Sequence, residues 1–261
     1  MCTLVILRRP DHRWPLLLAA TRDEMATRPW RPPGRHWPDR PDVVGGLDEL
    51  AGGTWCAIND DGVVAAILNR INTLGPAPGL RSRGELPLEA LDHAEAHCAA
   101  AALADLNPHA YRPFNLLVAD ARDAYWLRLR AGGGDVAPAV DVLEVPEGYS
   151  MITAYDRNDL ASPRIRRFLP RLRAAAVPDP DTGDWAAWAA LLAEREHDPG
   201  AGPGGAMNVV TATGFGTVCS SLLALPAAEG DDDDEEAEEI KPIWRFAAWT
   251  DAPGDYNEVA L

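Results

Sequence analysis

The sequence lacks the features of a membrane or exported protein. Its 261 residues contain no apolar run near the roughly 20 residues that a membrane-spanning helix needs. The first apolar stretch, residues 3–7, is ended by Arg8 and Arg9, so it is too short for a secretory signal and its charges lie on the wrong side. We therefore expect a cytoplasmic protein with no membrane span.

Cysteine and clustered positive charge are also scarce. The four cysteines are widely separated and form no CxxC pair, which argues against both a disulfide framework and a zinc site. His93 and His97 lie four residues apart beside Cys98, but no third metal ligand is indicated. The net charge is −16 and the arginines are dispersed, which argues against a nucleic-acid partner. We expect no metal and no cofactor.

Acidic residues concentrate in one segment. Nine of them lie between positions 229 and 239, and such a run repels itself and is typical of a solvated loop. We predict a flexible acidic loop at about 227–241. The chain length fits one domain spanning 1–261.

The order of predicted elements favours an α+β fold. Two hairpins are expected first, and residues 28–41 predict a surface loop because proline, arginine and tryptophan are dense there. An alanine-rich segment at 86–106 predicts a long helix. Predicted strands are 3–7, 15–21, 52–59, 62–69, 114–120, 124–129, 140–145, 209–211, 218–225 and 243–249. Two further helices, 162–176 and 185–195, are expected to expose their arginines. Hairpin connections of this kind indicate antiparallel sheets covered by helices.

Cys2 is the strongest candidate for covalent chemistry. Removal of the initiator methionine would leave a thiol and a free α-amine on one residue, and such an amine is a recognised general base for a neighbouring nucleophile. Antiparallel pairing brings the end of the second strand beside Cys2, where Arg22 could stabilise a thiolate and Asp23 or Glu24 could orient the amine. A salt-bridged strand end is the simpler interpretation of these charges taken alone.

Asn69 is a candidate for a second role at the same site. It closes the second hairpin, and a side-chain amide can donate to a developing oxyanion. Asn59 and Asn72 are more simply turn residues.

Several short motifs occur in a fixed order along the chain. They are Met1-Cys2, Thr21-Arg22-Asp23-Glu24, Gly45-Gly46-Leu47-Asp48, Gly52-Gly53-Thr54-Trp55, Asn69-Arg70, Ser82-Arg83-Gly84-Glu85-Leu86 and Phe114-Asn115-Leu116-Leu117. Together they resemble the NRDE family, which includes the transport and Golgi organisation 2 protein. That family is similar to the N-terminal nucleophile hydrolases, such as penicillin V acylase and bile salt hydrolase. The resemblance implies an αββα sandwich of two antiparallel sheets that cleaves amide bonds with an N-terminal cysteine.

The resemblance also implies roles for individual residues. Cys2 matches the nucleophile, Arg22 the arginine beside it, Asp23 the carboxylate that contacts the amine, and Asn69 the asparagine of the oxyanion hole. Glu24 could take the place of Asp23, because the acylases set their aspartate three residues after the arginine.

Two departures from the family pattern bear on activity. Many relatives have an arginine where this chain has Val218. Many also have Leu-Ser-Asn where this chain has Ile152-Thr153-Ala154, so the asparagine is replaced by Ala154. Asp156 or Asn158 could supply the polar group missing at Ala154. The lost arginine favours a non-catalytic alternative.

Two hypotheses follow. In the first, the chain is an N-terminal cysteine hydrolase that cleaves a small, non-peptide amide through an acyl-thioester on Cys2. In the alternative, it is a binding or transfer protein for haem or for an acyl or lipid ligand such as acyl-CoA.

Overall fold

Two antiparallel sheets form the centre of the protein. The computed structural model describes residues 2–130, 132, 137–228, 240–249 and 254–261, and the acidic run at 229–239 lies outside them. The strands of this described part are, in chain order, β1 (Thr3–Arg8), β2 (Leu16–Met25), β3 (Trp30–Gly34), β4 (Val43–Asp48), β5 (Cys56–Asn59), β6 (Val64–Asn69), β7 (Phe114–Ala119), β8 (Ala124–Leu129), β9 (Val140–Glu144), β10 (Gly148–Ile152), β11 (Phe215–Leu225), β12 (Ile243–Ala248) and β13 (Asn257–Glu258). The α-helices are α1 (Leu86–Ala90), α2 (Ala96–Ala104), α3 (Pro163–Ala174) and α4 (Ala186–Leu192).

The strands divide between two sheets according to their connections. The first sheet has the order β10-β1-β2-β11-β12-β13, and the second is a meander in sequence order from β3 to β9. Neighbouring strands are antiparallel in both sheets. The hairpins β1–β2 and β5–β6 are the two that the sequence predicts.

Apolar residues divide among three buried layers. Leu18 of the first sheet and Leu117 of the second belong to the core between the sheets. The outer face of the first sheet packs against α3 and α4, which contribute Phe168 and Trp188. The outer face of the second sheet packs against α1 and α2, which contribute Leu103. Because successive side chains along a strand point to opposite faces of the sheet, each strand contributes apolar residues to two of these layers. The result is the expected αββα sandwich.

The predicted long helix at 86–106 is wrong, because the segment forms two short helices. Asn59 donates a hydrogen bond to the carbonyl of His93 (2.9 Å), which holds the turn between α1 and α2. The side chain of Asp120 accepts from the backbone N–H of Ala96 (2.8 Å) and so caps the start of α2. Hydrogen bonds from the neighbouring sheet therefore outweigh the helical propensity of the alanines.

Two smaller predictions are also corrected. The loop predicted at 28–41 contains strand β3, which pairs with β4 at the edge of the second sheet. The strand predicted at 209–211 is reduced to an isolated bridge between Val210 and Gly216. Among the residues that the structure describes, no helix is both long and apolar enough to cross a membrane.

Candidate active site

The first hairpin places Cys2 beside the end of β2. Thr3 pairs with Thr21, so the chain before Thr3 runs alongside the residues that follow Thr21. The backbone N–H of Asp23 donates to the sulfur of Cys2, with an N···S distance of 3.4 Å. Cys2 is half-buried and lines a cavity of about 380 Å³.

The cavity collects all four residues that the sequence singles out. Cys2, Arg22, Asp23 and Asn69 all contribute to its wall. They come from both sheets, since β1 and β2 belong to the first sheet and β6 to the second. The remaining lining residues are Glu24, Arg28, Asp48, Leu50, Ala51, Thr54, Trp55, Ile67, Gly75, Pro76, Ala77, Leu80, Arg81, Ser82, Arg83, Gly84 and Arg112.

The Cys2 thiol is held in its protonated form. Burial and the negative charge of Asp23 raise its pKa, and they outweigh the Asp23 backbone N–H and Arg22, which lower it. A protonated thiol is a weak nucleophile, so attack on a carbonyl needs a base. Burial likewise raises the pKa of Cys56 to about 12 and raises that of Cys219.

A buried cluster fixes the Asp23 carboxylate. Arg164 lies 3.0 Å from one carboxylate oxygen, and the hydroxyl of Thr217 donates to the other at 2.7 Å. The side chains of Arg164 and Asp23 are 1% and 0% exposed. Burial alone would raise the pKa of Asp23, but Arg164 and Thr217 help to lower it overall. Asp23 is therefore ionised at neutral pH.

Arg164 also joins the two strands that carry the site. It donates to the hydroxyl of Thr3 at 2.6 Å and to the carbonyl of Gly204 at 3.1 Å. Its position near the start of α3 follows from the helix cap, where the Ser162 side chain accepts from the backbone N–H of Ile165. The prediction that arginines of this helix lie on its exposed face is wrong for Arg164, because this arginine has a buried acidic partner.

Glu24 does not share the environment of Asp23. It lies 4.0 Å from Arg22 and 3.8 Å from Arg28, and its side chain is 29% exposed. Of the two acids that the sequence leaves open, only Asp23 is enclosed and bonded to Arg164.

Arg22 lies flat in the wall of the cavity. Its guanidinium is 4.4 Å from the centre of the Trp55 ring and 3.6 Å from Asp48. A side chain at Gly46 would come within 2.2 Å of the same ring, so glycine is needed for Trp55 to occupy this place. Arg22 is only 5% exposed, and its Nη1 has no hydrogen-bond partner in the described part of the chain.

Asn69 presents an uncommitted amide. It ends β6, opposite Phe114 of β7. Over the described ranges, no hydrogen bond joins its side chain to the protein, so the amide remains available to a ligand in the cavity.

Neither residue proposed to compensate for Ala154 reaches the cavity wall. Asp156 pairs with Arg70 at 2.6 Å and also with Arg128. Asn158 accepts from the backbone N–H of Met151 at 2.7 Å. Both side chains therefore hold together the segment that follows β10.

The position of the missing family arginine is apolar. Val218 packs against Cys219 and Phe246. Its neighbour Thr217 contacts Asp23, while the positive charge beside Asp23 comes from Arg164 on a different element. Sequence reasoning missed both contacts. Thr217 directly precedes Val218, where the family arginine is missing, whereas nothing in the sequence distinguishes Arg164 from the other arginines of its helix.

A separate group of potential metal ligands lies at the start of α2. The structure places Glu95, and not His93, with His97 and Cys98, and the three ligand atoms lie within 4.8 Å of one another. This supplies the third ligand that the sequence did not indicate. All three residues are exposed, and none lines the cavity.

Comparisons with known proteins agree with the architecture. The family model described as Transport and Golgi organisation 2 matches residues 1–153. No curated protein matches the sequence. An N-acylethanolamine-hydrolyzing acid amidase ortholog from Caenorhabditis elegans has a TM-score of 0.55 at 12% identity, over 85% of this chain and 92% of that one. A mutant conjugated bile acid hydrolase from Clostridium perfringens has a TM-score of 0.53 at 10% identity, over 100% of this chain and 92% of that one. At such identities, the likeness shows a shared N-terminal nucleophile hydrolase-like fold.

Proposed function

The chain belongs to the Transport and Golgi organisation 2 family, whose model matches more than half of it, and we propose that it hydrolyses a small, non-peptide amide with Cys2 as nucleophile. One observation carries this proposal: Cys2 lines a cavity, its sulfur accepts from the backbone N–H of Asp23 at 3.4 Å, and the buried carboxylate of that same residue is held ionised. The two similar folds described above are named as hydrolases of an N-acylethanolamine and of conjugated bile acids, which supports amide chemistry.

The first step requires removal of Met1. Excision converts the amide nitrogen of Cys2 into an amine, and this amine can take the proton of the adjacent thiol. Asp23 accepts a hydrogen bond from the amine and orients it, because Arg164 and Thr217 hold the carboxylate in place. A base is needed because the pKa of the thiol is raised.

Acylation then proceeds by addition and elimination. The thiolate forms a bond to the carbonyl carbon, and the electron pair of the C=O bond moves to oxygen, where the Asn69 amide donates to the oxyanion. When the C=O bond re-forms, the C–N bond breaks. The α-ammonium returns its proton to the leaving amine, and an acyl-thioester remains on Cys2.

Deacylation repeats these steps with water. The α-amine accepts a proton from water as the oxygen attacks the thioester carbonyl, and the oxyanion again faces Asn69. When the C=O bond re-forms, the C–S bond breaks and a carboxylic acid is released, and the α-ammonium returns its proton to the leaving thiolate.

The apolar Val218, at the position of the family arginine, favours the carrier alternative. Charged side chains such as Arg22, Glu24 and Asp48 border the cavity, and no histidine of the described residues lines it. Apolar side chains such as Trp55, Ile67 and Leu80 line it as well, so the wall fits a ligand that has both polar and apolar parts.

A labelling experiment tests the hydrolase proposal. Intact mass should show loss of Met1, and iodoacetamide should label Cys2 faster than Cys56 or Cys219, which are buried. The measurement uses a Cys98→Ser background, because Cys98 is exposed and would react independently. The fast phase should disappear in Cys2→Ala, and so should any activity found in a screen of small amides. Retention of Met1, or labelling of Cys2 no faster than that of Cys56 and Cys219, would rule out the mechanism.

A further inference from the structure

Most of the arginines that line the cavity have carboxylate partners. Arg22 and Arg28 face Asp48 at 3.6 and 2.8 Å. Arg81 lies 2.6 Å from Glu85. These three positive charges are therefore balanced within the protein.

Arg83 and Arg112 differ, since neither forms an ion pair with any residue that the structure describes. Arg83 donates through Nη1 and Nη2 to the hydroxyl and carbonyl of Thr73 and to the carbonyl of Pro113, at 2.8–2.9 Å. Arg112 is likewise held by backbone carbonyls, including that of Leu74 at 2.7 Å. A guanidinium has five N–H donors, so Arg83 keeps Nε–H and one Nη2–H without an acceptor in the described ranges.

The two guanidinium groups influence each other. Burial and the nearby charge of Arg112 lower the pKa of Arg83 to about 10, while the Cys2 sulfur raises it. Arg83 is still charged at neutral pH. Arg83 is therefore a half-buried cation that lies near the positive charge of Arg112 and within electrostatic reach of the proposed nucleophile. A bound anion would stabilise these charges.

The backbone fixes Arg83 in this position. The N–H of Thr54 donates to the carbonyl of Gly84 at 2.8 Å, which attaches the turn carrying Arg83 to the start of β5. A side chain at Gly53 would meet the backbone of Gly84 at 2.4 Å, so the close approach requires glycine. A guanidinium held in this way loses little freedom when it binds a ligand.

We propose that Arg83 and Arg112 form a subsite for a carboxylate on the substrate, so that the amide cleaved at Cys2 belongs to an acidic molecule. This inference rests on the proposed function. The planar fork of an arginine matches a carboxylate, and two donors of Arg83 remain for it. A net charge of −16 gives no general attraction for anions, so binding of a carboxylate would depend on these two arginines.

The test measures binding without turnover. Cys2→Ala protein is titrated by calorimetry with N-butyrylglycine and with its neutral carboxamide. A charge-assisted hydrogen-bonded pair predicts roughly 10- to 100-fold tighter binding of the carboxylate. Arg83→Gln should weaken binding of the carboxylate far more than binding of the carboxamide and so remove the preference, and Arg83→Lys should retain part of it. Arg31→Gln is the matched control, since Arg31 is exposed, pairs with Glu49 and does not line the cavity.

Folding and function are controlled separately. If Arg83→Gln fails to fold by circular dichroism, Arg112→Gln replaces it, with the same loss of preference expected. Equal binding of the two ligands, or a preference that survives in a folded Arg83 or Arg112 variant, overturns the subsite. An Arg83-dependent preference in a protein that cleaves no amide supports the subsite and contradicts the hydrolase. Cleavage of neutral amides as fast as acidic ones supports the hydrolase and contradicts the subsite.

Discussion

Arg164→Met should destabilise the protein more than almost any other single substitution of an arginine. The change removes one partner of an ion pair whose side chains are 1% and 0% exposed, and leaves Asp23 buried without its arginine. Breaking a buried pair by removing one partner typically costs about 3–5 kcal/mol. We expect a loss of unfolding free energy near the lower limit of this range, because Thr217 still donates to Asp23.

The loss should depend on pH. In the wild type the folded-state pKa of Asp23 is lowered, so its contribution to stability is present above the unfolded value of about 3.9 and is lost as pH falls through the folded value. Without Arg164, we expect the pKa of Asp23 to rise, because burial is the largest single effect on this carboxyl group and Arg164 is the largest effect that opposes it. The variant should therefore regain stability as pH falls from 7 to 5, because protonation of Asp23 removes the buried charge. In the wild type, Asp23 should add no stability over this pH range.

Urea unfolding at both pH values measures the effect. The matched control is the double variant with Asp23→Asn, which removes both charges and should be more stable at pH 7 than Arg164→Met alone. A loss below about 1 kcal/mol for Arg164→Met, or the same loss at pH 5 and pH 7, would show that the pair does not hold Asp23 as argued.

Two further predictions concern the oxyanion and the cavity wall. Asn69→Ala should lower turnover of a cleaved amide by about 100- to 1,000-fold. The melting temperature should change little, because the Asn69 amide donates to no described part of the protein. Steady-state kinetics measure the turnover, and an unchanged value would exclude the oxyanion role. Gly53→Ala should lower the free energy of unfolding in urea by about 1–3 kcal/mol, because the new methyl group would meet the Gly84 backbone at 2.4 Å. Gly200→Ala is the control and should lower it much less, because a methyl group there meets nothing within 4 Å. Equal losses in the two variants would refute the packing argument.

Local patterns in the sequence predict much of this fold and part of the candidate site. Alternating apolar residues and a short turn define the β1–β2 hairpin, and pairing within it necessarily places Cys2 near Arg22 and Asp23. Cys2 and Asp23 are 21 positions apart but lie on one hairpin, so no knowledge of tertiary packing is needed. The αββα arrangement, by contrast, is predicted through resemblance to a family, because strand patterns alone do not decide how two sheets stack.

Contacts between distant segments are what the sequence does not predict. Arg164 follows Asp23 by 141 residues, and its helix has other arginines at positions that are exposed. The pattern of the helix could not indicate which arginine turns inward. The break between α1 and α2 has the same origin, since Asn59 and Asp120 lie outside the segment whose composition favours helix.

The charge of Asp23 has two opposite effects on Cys2 in the proposed mechanism. Together with burial it raises the pKa of the thiol, and while Met1 is in place the nitrogen of Cys2 is an amide that cannot take the proton of this thiol. After removal, the proton that leaves sulfur stays on the adjacent amine, and Asp23 faces a positive ammonium as well as the negative sulfur. A fixed carboxylate stabilises such an ammonium. Under the proposed mechanism, the buried charge that raises the pKa of the isolated thiol would favour the thiolate–ammonium pair, so we expect excision of the first residue to activate Cys2.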